Sequence, residues 1–455
     1  MNTAEPDNAR AAVGLDFAGA SPATVLVRGA NVLDPRTGID AVTDLLVRDG
    51  AVAAIGEALE APEGAEVVDA EGLHAFPAFV DPHVHLRTPG REDEEDVDSG
   101  TRAAAAGGFC AILAQPNTEP VVDSASVLRS LRERARAEAR IPTGFLAAIT
   151  VGQEGERLTE MAELAEAGAA GFTDDGLPVR SAGVMRQALQ YQRLAGRQLA
   201  LHEEDASLSG DGVMHEGAVS ALLGLAGIPS VSESSQVARD CALAAYEDAR
   251  IHIQHVSALE TVEVIARAKQ AGTSVSCEAS PHHLLLTDNE VRTLDTNFKM
   301  NPPLRSETDR LSLVEALRSG TIDCVATDHA PHAREEKEHP FEQAPMGVTG
   351  LETAFAALHT GLVLPGVLEL GLLVERMTAG GEPFGLPLPS IETGAPANLC
   401  LVDLDAEWEV GEPGYESRSA NCAFAGQRLT GRVRMTIAAG TVAYRERTFA
   451  LGAVT

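Results

Sequence analysis

Eight short apolar runs, most of them separated by a helix-like stretch, constrain this chain more than any other feature. The runs end near Asp81, Ala114, Thr150, Asp175, His202, His255, Glu278 and Asp328. Helix-like stretches between them cover 123–139, 155–167, 181–196, 233–248, 258–270 and 307–318. Eight strand–helix units predict an α/β fold, a (β/α)8 TIM-type barrel over residues 77–389, with its site at the C-terminal ends of the strands. A doubly wound sheet shares the alternation, but no glycine-rich phosphate loop follows the first strand.

The two ends of the chain have a different texture. Thr24–Leu33 has the composition of a strand, and Leu45–Ile55 reads as a hairpin turning at Asp49-Gly50. Similar short β segments return at Ala397–Val402 and Val433–Ile437. We expect 23–76 and 390–455 to form one small β-sandwich domain, split by the barrel. Residues 1–22 are expected to be a flexible tail, without the basic start and apolar core of a signal peptide.

Bulk properties exclude some partners. The net charge of -32 argues against nucleic acid and anionic membrane, since both repel such a surface. An anionic small-molecule substrate therefore needs a local cluster of positive charge. No run is apolar and long enough to span a membrane. Six scattered cysteines with no Cys-x-x-Cys pair fit reduced thiols and a cytoplasmic location.

The first barrel run ends in Asp81-Pro82-His83-Val84-His85-Leu86-Arg87. Alternate side chains of a strand share a face, so His83 and His85 project together. Two such imidazoles suit a transition metal such as zinc, although an isolated His-x-His is more often two ordinary histidines. Later strand ends supply more candidates: Thr173-Asp174-Asp175-Gly176, His202-Glu203-Glu204, Gln254-His255 and Thr327-Asp328-His329. Asp174 and Asp175 are adjacent, so alternation sends them to opposite faces and only one reaches a shared site. Four histidines and two carboxylates at the strand ends of one barrel favour a metal centre.

With these residues in view the chain resembles the amidohydrolase superfamily and, within it, the dihydroorotases that use no carbamylated lysine. Its most specific segments are Asp81–Arg87, Gln115-Pro116-Asn117-Thr118, Thr173–Gly176 and Ala326–His332. Asn301–Arg305 and Gly347–Thr353 add to them. The resemblance implies His83 and His85 as ligands of one zinc and His202 and His255 as ligands of a second. It implies Asp175 as the bridging carboxylate, and Asp328 as a ligand that doubles as general acid/base. His85, Arg87, Asn117, Asn301 and His332 are implied as substrate-binding positions, together with backbone groups near Met346 and Gly347. Two departures are visible: Thr88 stands where a glutamate is common, and Gln115 where a methionine is common.

The implied reaction interconverts dihydroorotate and N-carbamoyl-L-aspartate in de novo pyrimidine biosynthesis, with one or two zinc ions. Hydantoinases, dihydropyrimidinases and allantoinases are the nearest alternatives within the superfamily, and they bridge their metals with a carbamylated lysine on strand four. The only lysines here are Lys269, Lys299 and Lys337, none of them on that strand. A non-catalytic scaffold for aspartate transcarbamoylase is a reading of another class, and would be expected to lose ligands. A homo-oligomer, or a complex with that transcarbamoylase, is compatible with the resemblance.

The other histidines have plainer expectations. His74, His215, His252, His339 and His359 read as surface or packing residues, and His282 and His283 as structural ones. His329 should point away from the site if the strand still alternates there. Arg334–Glu338 reads most simply as a solvated loop, with a mobile lid as the alternative.

Overall fold

The computed structural model describes residues 13–446. The barrel strands are Phe79–Val84, Phe109–Ala114, Thr143–Phe145, Gly171–Phe172, Gln198–Leu201, Ile251–Ile253, Val275–Ala279 and Cys324–Val325. Neighbouring strands pair in parallel. Two isolated parallel bridges close the ring, Ala147 with Phe172 and Val84 with His329.

Strands buried on both faces need near-continuous apolar sequence, and every residue of Phe109–Ala114 is buried. Helices cover the outside by presenting one apolar stripe. Leu128, Leu131 and Ala135 do so on Ala125–Glu138, and Val237, Cys241 and Ala244 on Val231–Glu247. Capping boxes at Asp96/Ser99 and Ser306/Asp309 start the helices Val97–Ala106 and Glu307–Ser319.

The third unit departs from expectation. Its strand is Thr143–Phe145, with ladder bonds continuing to Ala147 but not to Thr150, where the Asp174 carboxylate and not a neighbouring strand accepts the backbone N–H groups of Ile149 (2.8 Å) and Thr150 (3.1 Å). The helix expected over 155–167 shrinks to Met161–Glu166. Gly155 has φ +73°, outside the helical region, and Thr150 bridges Leu158 instead.

Strands from both chain ends build the small domain. His74–Pro77 joins the halves, running parallel to Val25–Asp34 and antiparallel to Leu399–Glu409. The hairpin between Ile39–Arg48 and Ala51–Gly56 turns at Asp49 and Gly50, both at positive φ (51° and 78°). Val25, Val47, Val68, Leu399 and Ile437 meet in one core, as in a β-sandwich.

The described part of the expected tail is not loose. Asp16 and Thr143 exchange both backbone hydrogen bonds (2.9 and 3.0 Å), and the Asp16 carboxylate pairs with Arg132 and Arg136. Val13 and Leu15 pack on the core residues beside Leu113 and Leu146. Residues 1–12 of that tail, and 447–455 of the expected β domain, lie outside the described residues. No helix among the described residues is long and apolar enough to cross a membrane. All six cysteines are buried and free.

Candidate active site

Asp175 sits at the centre of a buried cage at the C-terminal mouth of the barrel. Its Oδ1 is 3.6 Å from His83 Nε2, 3.6 Å from His202 Nδ1 and 3.5 Å from His255 Nε2. Its Oδ2 is 3.5 Å from His85 Nε2. Asp328 Oδ1 completes the first group, 3.5 Å from His83 Nε2 and 3.3 Å from His85 Nε2. Three residues at this mouth, His255 and Asp328 of the cage and Arg87 beside it, hold positive φ (30°, 48° and 55°) without being glycine. Such backbone costs on the order of 1–3 kcal/mol per residue and persists only where its surroundings over-determine it.

Hydrogen bonds at the far side of the His83 and His85 rings choose the nitrogen that faces the cage. A carboxylate only accepts, so His83 donates from Nδ1 to Glu278 Oε1 (2.7 Å) and turns Nε2 inward. His85 does the same, donating from Nδ1 to Asn117 Oδ1 (2.9 Å). His202 Nδ1 and His255 Nε2 point at one another (2.9 Å) and at the same carboxylate oxygen.

A cation fits this donor set. The buried His83 Nε2 has no hydrogen-bond partner, though two carboxylates face it at 3.5–3.6 Å. Two ligands each about 2.0–2.2 Å from a tetrahedral zinc stand roughly 3.4 Å apart, the spacing seen here. Two metal-capable groups result, His83–His85–Asp175 and Asp175–His202–His255, sharing Asp175.

The electrostatics separate the two aspartates. Burial pushes the Asp175 carboxyl up, but His83, with His202 and His255, draws it well below the usual carboxylate range. Asp174 faces away and bonds to Thr150, and burial holds its carboxyl at about 6 against those hydrogen bonds. The carboxylates opposite His83 overcome its burial and raise its pKa well above the ordinary value. Burial, with Arg87 nearby, lowers His85 instead.

The expected substrate positions lie around this mouth. Arg87 donates from Nε to Pro331 O (3.0 Å), pairs with Glu94 (3.1 Å) and lies 3.4 Å from His332 Nε2. His332 Nε2 donates to Met346 O (2.9 Å). A Cβ on Gly347, at φ +139°, would come within 2.8 Å of Ala330 Cβ and 2.9 Å of His332 Nε2, so only glycine fits. Asn117 reaches Asp175 Oδ2 (3.4 Å), and Asn301 donates to Glu204 Oε2 (2.7 Å).

Residues 73–261 match the family model for Dihydro-orotase-like proteins. The chain is 44% identical over 422 residues to the dihydroorotase of Geobacter metallireducens, covering 92% of this chain and 99% of that one. It is 45% identical over 425 residues to the dihydroorotase of Anaeromyxobacter dehalogenans, covering 93% and 98%. The chain belongs to the dihydroorotase family. As a dihydroorotase it is a cyclic amidohydrolase. Solved structures carry the same fold: L-hydantoinase (dihydropyrimidinase) from Arthrobacter aurescens superposes with a TM-score of 0.83 at 26% identity, over 93% of this chain and 96% of that one. D-Hydantoinase from Thermus sp. gives 0.81 at 24%, over 94% and 97%.

Several residues around the dihydroorotase site escape sequence reasoning. His252 is no plain packing residue, because it bonds Glu278 (2.9 Å), the partner of His83. Glu278 was visible as a strand end but carried no pattern of its own. Glu94 and Asn421 give no local signal; a loop brings the first to Arg87, and the β domain brings the second to His332 (3.1 Å). Arg334–Glu338 is solvated at Arg334, Glu335 and Glu338, but Arg334–Lys337 is helical rather than a loop, and buried Lys337 donates to Pro345 O (3.1 Å) and Gly347 O (2.9 Å). His329 does point away, to Glu95 (3.2 Å). His282 and His283 are buried against Ser280, and His283 also against Pro302.

Proposed function

We propose that the chain is a zinc-dependent hydrolase that interconverts dihydroorotate and N-carbamoyl-L-aspartate, within de novo pyrimidine biosynthesis. The observation that carries this reading is the convergence of four imidazole nitrogens on Asp175 at 3.5–3.6 Å. His83, His85, His202, His255, Asp175 and Asp328 would hold one or two zinc ions. When bound, zinc acidifies a water molecule and polarises the ring amide carbonyl.

Asp328 stands beside His83 and His85 with its carboxyl drawn below the usual range despite burial, so it is ionised and able to accept a proton. It takes the proton from the attacking water and hands it to the departing ring nitrogen as general base and then acid. Arg87, with Asn301 across the mouth, grips the substrate carboxylate, since a planar guanidinium pairs with it through two parallel hydrogen bonds. The backbone at Met346 and Gly347, held by His332 and Lys337, orients the ring.

The aspartate bridge argues against a hydantoin or allantoin as the main substrate. Lys269 pairs with Asp323 (2.7 Å), Lys299 donates to Phe341 and Glu342 carbonyls, and Lys337 to Gly347. No lysine is left to be carbamylated at the cage. The buried free thiols fit a reducing, cytoplasmic setting. The test is turnover by the purified, zinc-loaded protein with dihydroorotate, hydantoin and allantoin in competition. Dihydroorotate should be hydrolysed preferentially; preference for hydantoin or allantoin would refute the assignment.

A further inference from the structure

We propose that Glu278 is the positioning residue of the metal centre, a single buried carboxylate that aims both halves of the cage. The inference rests on the metal reading above. Glu278 lies in the seventh strand, Val275–Ala279, and is 1% exposed. Its Oε1 accepts from His83 Nδ1 (2.7 Å) and from the backbone N–H of His255 (3.3 Å). His83 belongs to one metal-capable group and His255 to the other. Its Oε2 accepts from His252 Nε2 (2.9 Å), which leaves His252 Nδ1 to accept from the Ser276 hydroxyl (2.8 Å).

The direction of each bond follows from the carboxylate, which cannot donate while ionised. His83 is therefore locked with Nδ1 outward as a donor and Nε2 facing the cage, where a cation would take the place of a proton. A carboxylate behind a ligating imidazole also raises the basicity of the inward nitrogen. Glu278's partners are two imidazoles and one amide rather than a lysine or arginine. A buried carboxylate so placed is matched in charge by a cation on the far side of His83. His252 and Ser276 fix its outer oxygen, so the carboxylate cannot rotate away from His83.

The experiment compares the unaltered protein with Glu278→Gln and His252→Gln after chelator treatment. Zinc affinity is read by competition with a chromophoric chelator, ligand geometry from the visible spectrum of the cobalt-substituted forms, and folding from thermal unfolding of the metal-free forms. Glu278→Gln should lose about 10–100-fold in zinc affinity and change the cobalt spectrum, while its metal-free unfolding temperature is not lowered. Unchanged affinity and spectrum in a folded Glu278→Gln overturn the inference, as does a lowered unfolding temperature with affinity intact. If Glu278→Gln does not fold, His252→Gln decides: a smaller but measurable loss supports the relay, and identical affinity and spectrum overturn it. Absence of zinc binding by the unaltered protein is a separate result, which overturns the metal reading and this inference with it.

Discussion

Among single residues, Asp175 and Asp174 show how one peptide unit separates two roles. Asp175 faces four imidazoles, whereas Asp174 accepts from Ile149 N, Thr150 N and the Thr150 hydroxyl. Asp175→Ala should abolish turnover and weaken zinc binding by more than about 100-fold, beyond the 10–100-fold typical of outer partners. Asp174→Ala should keep zinc but lose stability, since each buried amide left without an acceptor costs about 1–3 kcal/mol. Paired zinc titrations and melts of the two variants check this; tighter zinc retention by Asp175→Ala would reverse the assignment. Arg87→Ala should leave zinc content intact and raise KM for dihydroorotate, consistent with about 1.5–3 kcal/mol for a hydrogen bond to a charged group. An unchanged KM would remove Arg87 from the substrate grip. His83 and His85 were legible as alternate residues of one strand end, His202 and His255 from their place at later strand ends, and Asp175 rather than Asp174 only from the family resemblance. Glu94 was not, since its meeting with Arg87 depends on the path of a loop and not on any periodicity.

The same contrast holds for whole elements. Strands and long helices were legible from apolar runs and from 3.6-residue stripes such as Leu128, Leu131 and Ala135. Elements whose backbone bonds go to side chains were not: Ile149 and Thr150 leave the third strand for Asp174, and Lys337 pins the short helix Arg334–Lys337 from below. Glu352 is another such anchor, accepting the backbone N–H groups of Glu416 (3.0 Å) and Ser417 (3.1 Å) and so tying the barrel to the β domain. Burial pushes its carboxyl up to about 7 in spite of those bonds. The folded chain therefore keeps a proton that an unfolded glutamate releases near about 4.3. The stability contributed is full below that value and is lost as pH rises toward 7. Glu352→Gln should flatten this loss, narrowing the difference in unfolding midpoint between about pH 5 and about pH 8. An undiminished difference would assign the pH dependence to other groups.

For the whole molecule, 67 acidic against 35 basic residues leave a strongly negative surface around a local cationic grip. Between about 0.1 M and about 1 M salt the screening length falls from about 10 to about 3 Å, so surface repulsion weakens. The unfolding temperature should rise with sodium chloride over that range, and a fall would show that surface ion pairs outweigh the repulsion. The barrel's order was legible from the alternation of runs and helices. Its closure through Val84 and His329, and the docking of Asp16 on Thr143, were not, because both join segments far apart in the chain.

The most direct measurement is dihydroorotate hydrolysis followed while zinc is titrated into chelator-treated protein. Turnover should rise from a negligible baseline and saturate at one or two zinc ions per chain, with Asp175→Ala inactive throughout. Full activity without metal, or stoichiometric zinc binding with no turnover of dihydroorotate, would contradict the account.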